Sequence, residues 1–257
     1  MIPPLPPLDL HAHVKPTIAP RELEQLGAVV FVATRSLDEF HQTQKRRDSV
    51  TIWGVGAHPG VERAQRDFDP DGFAEAIKTT AFVSEVGLDG RSKVPMALQE
   101  QTFREVLRAL SAKPRIVSIH SNGVSGKVLD ALSEVPVRGA VLHWWRGTAA
   151  QTARAIELGC WFSINLAGMK YPSDVALIPI NRVLIETDHP SGDRGASGPR
   201  QPGSVGGVES ALALVYGVTS TEIRTQVWKN FADLVDDAGV LGILPAAVRR
   251  MTEASKR

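Results

Sequence analysis

Cysteine is nearly absent: Cys160 is the only one in 257 residues, so no disulfide can form within the chain and a reducing compartment suits it. Neither charge sign dominates. Lysine and arginine number 29 against 28 aspartates and glutamates, a net charge of +1, which excludes wholesale electrostatic wrapping of nucleic acid but leaves room for a locally basic cleft. No apolar run reaches the roughly 18 residues of a membrane span. The N-terminus also lacks the basic-then-apolar pattern of a secretory signal, so the expected location is cytoplasmic, with no membrane partner. There is no CxxC, no P-loop, no GxGxxG fingerprint and no nucleophile elbow. Their absence removes phosphate-cradling ATPases, classical dehydrogenases and serine hydrolases as leading classes.

What remains is an ordinary globular composition, 43% hydrophobic and 22% charged, enough to bury a sizeable core. The proline-rich start and the Gly/Pro/Ser/Arg stretch from Ser191 to Gly207 are too short to separate domains. A single domain over residues 1–257 is therefore expected. Eight short apolar runs alternate with helical patterns, near Leu8–Leu10, Ala28–Ala33, Val50–Val55, Ala81–Ser84, Arg115–Ile119, Gly139–Leu142, Cys160–Ile164 and Arg182–Ile185. This is the signature of a parallel sheet covered by helices. Phe103, Val106, Leu107 and Leu110 form one helical stripe. Thr148 is a candidate N-cap, Thr219 with Glu222 has capping-box spacing, and Pro245 opens a last helix. Periodicity fits a closed (β/α)8 barrel or an open doubly wound sheet equally.

The histidines are not scattered. His11, His13, His120 and His143 each stand at or just after the end of an expected strand, and Glu85 and Asp188 do the same. In a barrel those ends share one face, the face on which barrel enzymes keep their active sites. His11 and His13, two apart, lie on one side of an extended chain and could hold a single metal ion. Each of the other histidines, alone, is as well explained as a core residue. Four in corresponding positions are not. Glu85 can bridge two cations through its two oxygens. Asp89 reads as a loop or turn residue, and His58, before Pro59, as a turn residue or a substrate contact. Glu186 and Asp188 point the same way by alternation, so spacing does not decide between them. Cys160, among apolar neighbours, reads as core.

Taken together, DLHAH at Asp9–His13, GAHP at Gly56–Pro59, SEVGLD at Ser84–Asp89, IHS at Ile119–Ser121, HWWRG at His143–Gly147 and ETDHP at Glu186–Pro190 resemble the TatD family, in the family's order. Gln226–Phe231 is similar to the family's QxxxN helix. The resemblance implies a single TIM barrel, a metal-dependent hydrolase and DNase of single-stranded ends, and two divalent cations, Mg2+, Mn2+ or Zn2+. It implies one metal held by His11, His13, Glu85 and Asp188 and a second by Glu85, His120 and His143. In that scheme Asp188 is also the general base, and His58 touches the phosphate or its water. Three positions depart from the family: Ser84 stands where a glutamate is usual, Asn122 where an arginine is usual, and Trp144–Trp145 where a Cys-Phe pair is usual. Loss of that arginine leaves substrate choice open, with Arg146, Lys170 or Arg194 as replacements. Trp144 and Trp145 offer stacking surfaces for bases or, alternatively, belong to the core. HWWRG with Trp161–Asn165 and Met169 is similar to the TatD-like component of the bacterial Qat anti-phage system, which implies protein partners in a defence complex. Hydrolysis of D-aminoacyl-tRNA or another ester or amide, and a non-catalytic barrel subunit, are the alternative expectations.

Overall fold

The computed structural model of the protein describes residues 5–256; the first four residues of the proline-rich start lie outside the described residues. All eight expected runs are strands: β1 (Leu8–Ala12), β2 (Val29–Ala33), β3 (Thr51–Gly56), β4 (Phe82–Gly87), β5 (Ile116–His120), β6 (Ala140–His143), β7 (Trp161–Ile164) and β8 (Val183–Ile185). They hydrogen-bond in sequence order, every neighbour parallel. A doubly wound sheet would reverse its strand order partway, so the order alone settles what periodicity left open. The seam between β8 and β1 is drawn together by Asp188 N–H donating to His11 O at 2.8 Å and His13 N–H to His189 O at 2.9 Å. The result is a nearly closed TIM barrel.

Asp9 fastens the same seam from inside. Its carboxylate accepts from Thr187 N–H (2.8 Å), Thr187 Oγ1 (2.6 Å) and Gly203 N–H (2.7 Å). It is fully buried. Burial pushes its pKa up to about 6, against the pull of these donors, the Gly203 amide foremost.

The strands are buried along nearly their whole length because helices cover their outer faces. Phe31 packs edge-on against Phe82 and Phe231, with ring centroids 5.2 and 5.5 Å apart. The helix Met96–Ala112 buries Phe103, Val106, Leu107 and Leu110, the stripe read from the sequence. Thr148 caps Ala149–Glu157, and Thr219 forms its capping box with Glu222 at the start of Ser220–Ala238. Pro245 is the N-cap of Ala246–Ser255, one position earlier than the first-turn place expected for it. Cys160 is 1% exposed and belongs to the core. Within the stretch expected as a loop, helix resumes only at Gly206. No helix among the described residues is long and apolar enough to cross a membrane.

Candidate metal centre

The carboxyl ends of β1, β4, β5, β6 and β8 bring the expected side chains together. Register slips in β1 between Asp9 and Ala12, and in β4 between Val83 and Val86. Such irregularities turn a side chain away from strict alternation, and they fall at His11 and Glu85. Glu85, Trp144 and Asp188 are the non-glycine residues with positive φ among those described, at 25°, 42° and 43°. Backbone strain of this kind persists only where the surroundings hold it. Two glycines let the strand ends close up. A Cβ on Gly56 would stand 2.0 Å from Thr34 O, and one on Gly87, at φ 129°, would stand 2.2 Å from His120 O.

Glu85 is the hub. His13 Nε2 lies 2.9 Å from its Oε2, while His58 Nε2 and His120 Nδ1 lie 3.1 and 3.2 Å from its Oε1. His11 Nε2 stands 3.3 Å from His13 Nε2, so the pair read from the HxH spacing does converge on one point. His143 Nε2 is 3.1 Å from His120 Nδ1, and the His143 ring stacks on His11 at 4.3 Å. Asp188 Oδ1 is 3.8 Å from both His11 Nε2 and His13 Nε2. Among the described residues three groupings have geometry suited to a cation: His11, His13 and Glu85; Glu85, His120 and His143; and His11, His143 and Asp188.

The ring partners settle which nitrogens face the centre. His13 Nδ1 is 2.9 Å from Ala33 O, an acceptor, so a proton sits there and a neutral ring turns its Nε2 lone pair inward. His120 Nε2 faces Asp89 Oδ2 at 3.2 Å, which leaves Nδ1 for the centre. His11 Nδ1 meets Ser118 Oγ at 2.7 Å. His58 is oriented differently: Gly60 N–H donates to its Nδ1 at 2.8 Å, so a neutral His58 ring carries its proton on Nε2, 3.1 Å from Glu85 Oε1. Ring nitrogens of His11, His13, His120 and His143 thus crowd the same small space as the Glu85 and Asp188 carboxylates. Glu85 Oε2, despite His13 Nε2 at 2.9 Å, and His143 Nδ1 are buried without an aligned hydrogen bond among the described residues. Converging nitrogen and oxygen ligand atoms with a buried carboxylate oxygen left without an aligned hydrogen bond are what a divalent cation satisfies, so these residues fit a metal.

The carboxylates draw two of the four histidines toward the charged form, the positive charge that a cation would otherwise supply. Burial drives His11 down to about 4, helped by His143, and His143 down to about 3. Burial opposes charge on His13 and His120 as well, but Glu85, and for His120 first Asp89, outweigh it and raise both to about 9. Burial would raise Glu85; the surrounding histidines, His58 and His13 foremost, instead hold it well below the usual range. Asp188 lies well above the carboxylate range through burial, then through Glu186 and Glu85.

Several functional groups were not legible as such. Asp89 is a loop residue, as expected, but its carboxylate orients His120 and accepts from Asn122 Nδ2 at 3.2 Å. Its one sequence signal is its place four residues past Glu85, just after β4. Glu186, the other acid of ETD, accepts from Asn165 Nδ2 and Trp144 N–H, each at 3.0 Å, and from Ser163 Oγ. It stands outside the three cation groupings, with burial raising it to about 7. Trp145 as a stacking surface is overturned. It is 7% exposed, donates its indole N–H to Thr152 Oγ1 at 2.9 Å, and packs on Phe162, so no face is free for a base. Trp144 and Arg146 do line a pocket with His120 and His143. Ser84, in the place of the usual glutamate, donates to Thr34 O at 3.0 Å.

The barrel and its carboxylate-bridged histidine cluster define a metal-dependent hydrolase architecture. Residues 8–236 match the family described as TatD related DNase, and the chain belongs to that family of metal-dependent hydrolases. A 3'-5' ssDNA/RNA exonuclease TatD from Cronobacter turicensis is 33% identical over 119 residues, 42% of this chain and 44% of that protein. The matched stretch thus spans under half the length of that curated relative. In structure the chain is similar to the TatD homologue YjjV of Escherichia coli K12, with TM-score 0.77, 21% identity, and coverage of 91% of this chain and 98% of that one. A TatD family hydrolase from Entamoeba histolytica gives TM-score 0.71 at 14% identity, covering 90% and 98%. At these identities the structures speak for the fold.

Proposed function

We propose that the protein hydrolyses phosphodiester bonds at the ends of single-stranded DNA, using two divalent cations held by His11, His13, Glu85, His120, His143 and Asp188. The observation that carries this is the single carboxylate, Glu85, standing within 3.2 Å of nitrogens of His13, His58 and His120. Such a carboxylate can bridge two cations, and the matched relative's name, an ssDNA/RNA exonuclease, supplies the substrate class. Bound cations would lower the pKa of water and stabilise charge on the attacking and leaving oxygens.

The chain's own groups do the rest. Asp188 stands across the β8–β1 seam, 3.8 Å from the Nε2 atoms of His11 and His13, and accepts the proton of the attacking water. His58, with its proton on Nε2, donates to an unbridged phosphate oxygen. Asp89 and Ala33 O hold His120 and His13 in the tautomers that keep lone pairs inward. End-labelled single-stranded DNA, incubated with Mg2+, Mn2+ or Zn2+, tests the proposal beside Asp188→Asn and Glu85→Ala. Metal-dependent shortening that both substitutions abolish is expected. Folded, metal-loaded protein that leaves the strand intact with every metal would overturn it.

A further inference from the structure

A pocket of about 530 Å3 opens directly beside the histidine cluster, sharing His120 and His143 with it and continuing past Asn122, Trp144, Arg91 and Arg146. Its size suits a small organic ligand. Among the described residues neither Arg91 nor Arg146 has a carboxylate within salt-bridge distance, whereas Arg35, at the cluster's other flank, is paired to Glu39 at 2.9 Å. Arg146 is held another way: its guanidinium lies over the Tyr171 ring, 4.7 Å from the centroid. That contact fixes the plane of the cation without neutralising it.

The wall between arginine and histidine is Trp144. Glu186 accepts its backbone N–H at 3.0 Å, which holds the residue at φ 42°. A Cβ on Gly168 would lie 3.8 Å from the Trp144 ring, so the loops after β6 and β7 pack together here as they do at Arg146 and Tyr171. Asn122, on the same wall, is uncharged and engaged with Asp89, which leaves the anionic contact to the arginines.

The geometry points to a nucleotide subsite formed by Trp144, Arg91 and Arg146, with Tyr171 setting the Arg146 plane. It takes the nucleotide adjoining the scissile bond, base against Trp144 and phosphate against the two arginines. The subsite rests on the phosphodiester reading above, and it assigns substrate contacts that the metal cluster does not make. Base stacking on one indole is sequence-tolerant, so the subsite selects a nucleotide rather than a particular base.

Calorimetric titration of the metal-loaded protein with thymidine 5'-monophosphate and, separately, inorganic phosphate tests the assignment. Arg146→Ala should weaken both probes about tenfold, the scale of a lost charge-assisted contact, with metal content unchanged. Trp144→Ala should weaken the monophosphate several-fold and leave inorganic phosphate alone. Tyr171→Leu, which keeps the charge but loses its support, should fall between wild type and Arg146→Ala for both. With single-stranded DNA as substrate, Arg146→Ala should raise KM more than it lowers kcat. Equal monophosphate affinity in wild type, Arg146→Ala and the Arg91→Ala/Arg146→Ala pair would overturn the subsite even if DNA is cleaved. Selective monophosphate binding without DNA cleavage would leave the subsite standing and remove the phosphodiesterase reading instead.

Discussion

The barrel mouth and the C-terminal helix Ser220–Ala238 are both buried, both polar in part, and built in opposite ways. In the helix, Trp228 donates its indole N–H to Pro6 O at 2.8 Å, and Asn230 donates to Ile180 O and Val183 O at 2.8 and 2.7 Å. Donors there find acceptors. At the mouth, ring nitrogens and carboxylate oxygens crowd together, Glu85 Oε2 and His143 Nδ1 lack an aligned hydrogen bond among the described residues, and three non-glycine residues hold positive φ. Natural folds satisfy buried polar groups where stability is the purpose and leave them unsatisfied where a ligand completes them. Changes at the mouth should therefore cost activity and metal rather than folding; changes in the helix should do the reverse.

The largest effect is expected at the hub. Glu85→Ala should remove metal-dependent hydrolysis by more than the roughly 10–100-fold that loss of an outer partner costs, and lower bound metal by elemental analysis. Its thermal midpoint without metal should stay close to wild type, and an unfolded variant would erase the contrast. Asp89→Ala should fall inside that 10–100-fold range in metal affinity or turnover, because it frees the His120 ring without deleting a ligand. A loss as large as Glu85→Ala would make Asp89 a direct participant.

On the helix side, Trp228→Ala should destabilise the fold by about 3–5 kcal/mol in denaturant titration, since the side chain is fully buried. Turnover per folded molecule should be retained. Thr219→Ala removes the capping box and should cost about 1 kcal/mol with no change in metal content. The smallest effect concerns Cys160, whose thiol burial pushes up to about 12 from 9.0. The folded state resists its ionisation, so this group favours folding below pH 9 and loses that contribution as pH rises from 9 toward 12. At pH 8 an alkylating reagent should modify Cys160 only after unfolding.

Much of this was legible beforehand, for definite reasons. The eight strands are apolar runs, and a strand buried on both faces has no other way to be written. Thr148 and Thr219 cap helices because their hydroxyls can accept the first free amides. The six candidate ligands could be found because each ends a strand. Closure of the barrel could not, since alternation of strands and helices is the same in an open sheet.

The pairings across the mouth were equally out of reach. Asp89 to His120 and Glu186 to Trp144 N–H are 31 and 42 residues apart. Trp144 and Trp145 look alike in the chain, yet β6 ends between His143 and Trp144, and the turn at φ 42° leaves one ring lining the pocket and the other in the core. The sequence by itself determined which residues could bind a metal and that they would stand at strand ends, because periodicity and residue chemistry are local properties. Only the tertiary structure decided which nitrogens face inward, which carboxylate is the hub and which tryptophan meets the pocket, because those depend on hydrogen-bond partners and backbone turns supplied by distant segments.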